Sequence, residues 1–149
     1  MAKLTANDIA NYFLSLPDDD AGDSISNLKL QKLCYYAQGF HLAMYDKPLF
    51  DDDIEAWQHG PVVESLYHKY KGCGSGAIPP AEKLDLALYS KEIKELLNEI
   101  YQVYGQFSAW KLRELTHAEP PWKEAYDKGA ATISHKSMKS YFSTLVSND

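Results

Sequence analysis

Two pairs of histidine and glutamate are the side chains whose types and spacing could do chemistry in this sequence. Glu64 and His68 stand four residues apart, with His59 upstream, and this spacing can present two metal ligands on one face of a helix. It is equally the spacing of an ordinary surface pair, because no third ligand stands at a fixed distance along the chain. His117 and Glu119 could act as a general acid and base, or His117 could anchor a turn before the prolines that follow it.

The other reactive residue types lie in expected loops. Residues 71–76, Lys-Gly-Cys-Gly-Ser-Gly, resemble a phosphate-binding loop but lack the Gly-Lys-Ser/Thr ending that such a loop requires, so we expect a connector. A nucleophilic Cys73 needs a neighbouring base, and the sequence assigns none. The aspartate runs 18–20 and 51–53 lack the graded ligand spacing of a calcium loop. We therefore predict no catalytic residue, no metal and no cofactor.

The composition is that of a globular protein in a reducing compartment. A chain of 149 residues fits one domain, and its two cysteines do not make a disulfide framework. The net charge of −6, without a long basic run, argues against binding to nucleic acid, which requires a basic face. The start lacks the features of a signal peptide, and no apolar run is long enough to span a membrane. We expect a cytoplasmic protein that does not bind membranes.

The elements that must position these residues are mostly helices. Capping residues followed by apolar residues at helical spacing predict helices after Thr5 (paired with Asp8), Ser26, Ser90, Ser108 and Ser134. Pro61 is expected to open a helix that runs through Tyr70, and Pro120-Pro121 to begin a short turn or helix. Alternation over 54–57 predicts a short strand. The predicted fold class is mainly α, a compact single-domain bundle of six or seven short helices with at most a small β element near 54–57.

The helix over about 26–45 is expected to lie at the centre of this bundle. Apolar residues occupy most of its sides, which is typical of a helix surrounded by others. Gly39 lies inside it and costs about 1 kcal/mol relative to alanine. We expect that another element approaches closely at this glycine.

Three sequence blocks together resemble the Panacea domain family, the SocA-like and GepA-like proteins of bacteria, phages and mobile elements. The blocks are Asn27–Gly39, beginning Asn-Leu-Lys-Leu-Gln-Lys-Leu, Ala56–Tyr67, beginning Ala-Trp-Gln-His-Gly-Pro-Val-Val, and Thr116–Trp122, Thr-His-Ala-Glu-Pro-Pro-Trp. They occur in the order found in the family and extend over nearly the whole chain. The resemblance therefore implies that residues 1–149 form a single Panacea (SocA-like) domain.

The resemblance also implies a function. Panacea domains neutralise a cognate toxin by direct contact in toxin–antitoxin pairs, so an antitoxin with a toxin protein as partner is expected. One alternative is a proteolytic adaptor that delivers a bound toxin to the ClpXP protease, as described for the SocA-like branch. A second alternative, from the residues alone, is a small metal- or Cys/His-dependent enzyme. Many family members carry an N-terminal DNA-binding segment, for which the sequence before Thr5 offers no room.

The family blocks supply the candidate site residues, whose role in the fold or in partner binding stays open at this point. Lys29, Gln31, Lys32 and Gln38 are expected on the less buried side of the central helix. Trp57, Gly60, Pro61 and Tyr67 are expected to build a rigid corner. The remaining candidates are Tyr35, His59, Val62, His117, Pro121 and Trp122. The acidic net charge suits a basic toxin, which would be steered toward this chain.

Overall fold

Seven α-helices and one small antiparallel hairpin make up the part of the chain that the structure, a computed structural model, describes: residues 4–17, 24–80 and 83–146. In chain order the elements are α1 (Ala6–Leu14), α2 (Asn27–Tyr45), β1 (Glu55–Trp57), β2 (Gly60–Val62), α3 (Glu64–Tyr70), α4 (Lys91–Tyr104), α5 (Ala109–His117), α6 (Pro120–Asp127) and α7 (His135–Ser143). Short 3-10 turns lie at Lys71–Cys73 and Leu86–Leu88. The predicted mainly helical fold with a small β element is confirmed.

Side-chain caps begin the helices where the sequence predicts them. Thr5 and Asp8 form a reciprocal capping box at the start of α1. The hydroxyls of the other predicted capping serines each accept a hydrogen bond from a backbone N–H in the first turn, which fixes the starts of α2, α4, α5 and α7. Pro120 and Pro121 occupy the first two positions of α6.

Helix α2 is the centre of the fold. It packs against α1, α3, α4, α5, α7 and β2, and its residues from Leu30 to Gly39 are all buried. Gly39 allows the closest of these approaches, because a Cβ atom there would overlap the aromatic ring of Phe142 on α7. The expected close approach at this glycine is confirmed.

The prediction that Pro61 opens a helix is wrong. Pro61 lies in β2, where it stands opposite Ala56 of β1, and α3 begins only at Glu64. Gly60 has a φ of 113°, a value that L side chains rarely adopt, and it turns the chain back into a hairpin. Backbone hydrogen bonds from Ala56 N to Ala131 O and from Ile133 N to Ile54 O join the hairpin to the segment before α7.

None of the helices in the described ranges combines the length and the hydropathy needed to cross a membrane. The aspartate run 18–20 lies outside the described residues. In the run 51–53, the Asp52 carboxylate accepts a hydrogen bond from the backbone N–H of Ala6, 3.0 Å away, so this residue ties a loop to the start of α1.

Candidate partner-binding site

Three of the polar family-block residues on α2 are buried, so the prediction that they lie on its less buried side is wrong. Gln31, Lys32 and Gln38 are at most 1% exposed. The Gln38 amide nitrogen donates to Phe50 O at 2.7 Å and its oxygen accepts from Leu49 N at 2.7 Å. A side-chain amide can replace a missing backbone partner in this way, and burial then costs little. Gln38 therefore fixes the loop that follows α2.

Gln31 performs the same task at the other end of the helix. Its oxygen accepts from Val63 N at 2.9 Å, and its nitrogen donates to the side chain of Asn27 at 2.9 Å. Asn27 in turn donates to Tyr67 O at 3.1 Å. This chain of hydrogen bonds attaches β2 and α3 to the first turns of α2.

Lys32 is fully buried beneath the hairpin. Its ammonium donates to Pro61 O at 3.2 Å, and a Cβ atom at Gly60 would lie 2.7 Å from the lysine Cε atom. A side chain at position 60 would therefore have to displace the end of the Lys32 side chain, in addition to adopting an unfavourable φ angle. Desolvation by burial, followed by the positive charge of Arg113, lowers the pKa of Lys32 from 10.5 to about 7.

A second buried ionisable group lies at the start of α6. The carboxylate of Glu119 accepts hydrogen bonds from the hydroxyls of Tyr35 at 3.0 Å and Tyr36 at 2.8 Å. Burial raises the pKa of Glu119 from 4.5 to about 7, although hydrogen bonds from Tyr36, Tyr35 and Tyr141 oppose this shift. Glu119 thereby connects α2 to α6 and α7, and Tyr35 is a core residue.

The third family block holds the turn of the hairpin. The indole nitrogen of Trp122 donates to Trp57 O at 2.7 Å. The two ring nitrogens of His117 lie 2.6 Å from Arg113 O and 2.8 Å from Gln58 O, so whichever of them carries the proton donates to a backbone carbonyl. Pro121 is buried beside Trp122 in α6. His117 and Glu119 bind different partners, and the structure shows no acid–base pair between them.

The other candidates for chemistry make surface contacts. Glu64 and His68 form an exposed pair at 3.3 Å, and the Nδ1 atom of His59 accepts from Arg113 Nε at 3.2 Å. Within the described ranges, no group of three His, Cys, Asp or Glu side chains could hold a metal ion. Cys73 is a half-buried free thiol in its 3-10 turn. Lys29, the fourth polar family-block residue on α2, is partly exposed, and its ammonium donates to Gly105 O at 2.6 Å, which ties α2 to the end of α4.

Residues of the first two family blocks line one groove of about 610 Å³, which we call the aromatic groove. The first turns of α2 and α5, the hairpin, α3 and the loop after it form its walls. Its lining residues are Ser26, Asn27, Leu28, Gln31, Trp57, Gln58, His59, Val62, Tyr67, Lys71, Gly74, Ser75, Ala109 and Trp110. The rings of Trp57 and Tyr67 meet edge to face at 5.0 Å, so two residues of the expected corner line the groove, whereas Gly60 and Pro61 do not.

Trp110 is the residue of this groove that sequence reasoning missed. It lies in the first turn of α5 and is 59% exposed, the highest value among the exposed large apolar side chains of the described residues. The Arg113 guanidinium lies over its ring at 4.6 Å, which holds the indole in place. Its position outside the family blocks hid it, although an isolated tryptophan in a polar helix is itself a signal of an interface.

A second groove of about 420 Å³, which we call the helix groove, lies at the opposite end of α2. Its walls are α2, α4 and the residues after α7. Its lining residues are Phe40, Met44, Leu96, Glu99, Ile100, Val103, Tyr104, Leu145 and Val146. This groove holds no residue of the candidate set.

The fold and the buried polar contacts define a helical domain organised around α2, and the comparison with known families identifies its class. Residues 30–123 match the family described as Antitoxin SocA-like, Panacea domain. The chain therefore belongs to this family, as the three blocks predict.

A curated relative agrees with this assignment. Antitoxin SocA of Caulobacter vibrioides (strain NA1000 / CB15N) is 34% identical over 109 residues, which cover 66% of this chain and 58% of the relative. The chain thus spans less than two thirds of that protein's length. No solved structure matches the chain.

Proposed function

We propose that this protein is an antitoxin that neutralises a toxic protein in the cytoplasm by binding it directly, and that residues 1–149 act as one Panacea domain. The observation that carries the proposal is the family membership over residues 30–123. The similarity to a protein named Antitoxin SocA supports it.

The placement of the family-block residues supports binding rather than catalysis. The buried members fix loops and helix starts through hydrogen bonds to the backbone, as Gln31, Lys32 and Gln38 do. The more exposed members line an open groove together with Trp110. Tryptophan and tyrosine are the residue types that contribute most to protein–protein binding, because they bury large areas at low cost in entropy.

A growth-rescue experiment tests the proposal. The open reading frame next to this gene is induced alone and then together with this protein, and the complex is purified through a tag on one partner. We expect growth arrest by the neighbour alone, rescue on co-expression, and a complex that survives purification. A toxic neighbour that is not rescued would refute the pairing.

The half-life of the toxin separates neutralisation by occlusion from delivery to a protease. Occlusion leaves the half-life of the toxin unchanged or longer when this protein is present. A shorter half-life that recovers when ClpX is removed would instead establish an adaptor.

A further inference from the structure

The aromatic groove differs from the rest of the molecule in its charge. The chain carries 21 acidic and 15 basic residues, yet the described residues that line this groove include no carboxylate and one formal charge, that of Lys71. The surplus of negative charge therefore lies outside the groove. Such local separation of charge selects the chemistry of a bound segment.

Two further features beside the groove have the same sign as Lys71. The Arg113 guanidinium lies over the Trp110 ring and donates to His59, which itself lines the groove. The first turns of α2 and α5 also open onto the groove, and the free N–H groups of a helix start add a partial positive charge. The Glu55 carboxylate of the hairpin accepts from the Trp57 indole nitrogen at 2.8 Å and keeps its negative charge, but it is not among the residues that line the groove.

The apolar part of the groove is suited to a side chain and not to an ion alone. Trp57 and Tyr67 form one wall edge to face, and the exposed Trp110 lies on another element. The Trp57 indole nitrogen already has a partner, so its ring offers an apolar surface. Aromatic walls of this kind bind large apolar side chains, which gain free energy by leaving water.

We infer that the aromatic groove is the docking surface for the toxin, and that it takes an exposed toxin segment in which a large apolar side chain lies beside a carboxylate. The apolar side chain packs among Trp57, Tyr67 and Trp110, and the carboxylate contacts Lys71. This inference rests on the proposed function, because it names the toxin as the occupant.

Matched variants test the charge contact in the complex of the full-length chain with the toxin. Lys71→Glu and Lys123→Glu change the net charge equally, and Lys123 is exposed on α6, away from the groove. We expect the complex to dissociate about tenfold faster with Lys71→Glu, and Lys123→Glu to leave dissociation unchanged. Equal effects of the two variants would overturn the carboxylate contact.

A second matched pair tests the apolar contact. Trp110→Ala and Val103→Ala each shorten an exposed apolar side chain, the first in the aromatic groove and the second in the helix groove. We expect Trp110→Ala to weaken the complex about tenfold or more and Val103→Ala to have no effect. If Val103→Ala weakens the complex and Trp110→Ala does not, the toxin binds the helix groove and the inference is wrong.

The binding of two model peptides distinguishes failure of this inference from failure of the proposed function. The probe is a fluorescent peptide that carries tryptophan and leucine beside two aspartates, compared with the same peptide carrying asparagines. We expect the aspartate peptide to bind the wild-type chain about tenfold more tightly, and Lys71→Glu to abolish the difference. Equal binding by both peptides overturns the inference even where the toxin is rescued. Selective binding without rescue supports the groove chemistry and refutes the assignment of its occupant.

Discussion

Lys32 and Glu119 show how single buried residues link α2 to the rest of the fold. Each takes part in a buried contact between α2 and another part of the chain, the hairpin for Lys32 and the start of α6 for Glu119. Burial shifts both pKa values to about 7, the first from above and the second from below. The stability of the protein therefore depends on pH through two opposite contributions.

Lys32 makes the free energy of unfolding increase with pH above neutrality. Because the pKa of Lys32 is lower in the folded state, the unfolded chain binds more protons between pH 7 and 10.5, and the free energy of unfolding increases with pH in this window. The slope from this residue reaches about 1.4 kcal/mol per pH unit. We expect Lys32→Met to lose this slope in denaturant titrations at several pH values. Parallel curves for the wild type and the variant would contradict the account.

Glu119 contributes the opposite slope on the acidic side. Its pKa is higher in the folded state, so its contribution is fully present below pH 4.5 and is lost as pH rises toward 7. The loss reaches about 1.4 kcal/mol per pH unit. We expect the difference in unfolding free energy between wild type and Glu119→Gln to change across this window and to be constant above it. A difference that does not vary with pH would show that Glu119 titrates normally.

At the scale of elements, the contact between α2 and α7 depends on a missing side chain. A methyl group at Gly39 would overlap the ring of Phe142, so Gly39→Ala must push the helices apart. We expect a loss of about 1–3 kcal/mol in unfolding free energy, although alanine favours the helix itself. Gly72→Ala is the matched control, since nothing lies within 4 Å of its added methyl group.

Making Gly39→Ala in a Phe142→Ala background tests whether the contact with Phe142 causes the loss of stability. With Phe142→Ala already present, the added methyl group meets empty space. Gly39→Ala should then be neutral or stabilising by up to about 1 kcal/mol, the difference in helix propensity. An undiminished loss in the double variant would place the cause elsewhere in the helix.

Elements with strong local signals could be predicted from the sequence. Capping side chains such as Thr5 and Ser90 act within one helical turn, so the starts of their helices follow from neighbouring residues alone. The hairpin could not be predicted in this way. Pro61 has the φ angle of a first helical residue, but its place in β2 is set by Lys32 and Gln31, which are distant in sequence.

The family blocks supplied the candidate residues, but residue type did not predict which of them are buried. Residue type alone made Gln31, Lys32 and Gln38 look like surface positions, because glutamine and lysine are mostly exposed. Their burial follows from backbone groups of loops that only the folded chain brings near. Trp110 lay outside the family blocks, and its place in the same groove as Trp57 depends on how α5 packs against the hairpin.

At the scale of the whole molecule, charge and aromatic surface are separated. The net charge of −6 favours the approach of a basic protein, while Lys71 places one positive charge in the aromatic groove. The net charge governs mainly the rate of association, and contacts in the groove govern the rate of dissociation. A toxin with a basic surface and an exposed acidic, apolar segment would use both.

Direct binding is the central claim, and calorimetric titration of the purified toxin into the purified full-length chain tests it most directly. The account predicts saturable binding at a fixed stoichiometry, with toxin activity lost in proportion to the complex formed. Rescue of growth in cells without any complex between the two purified proteins would contradict it, because protection would then require a third component.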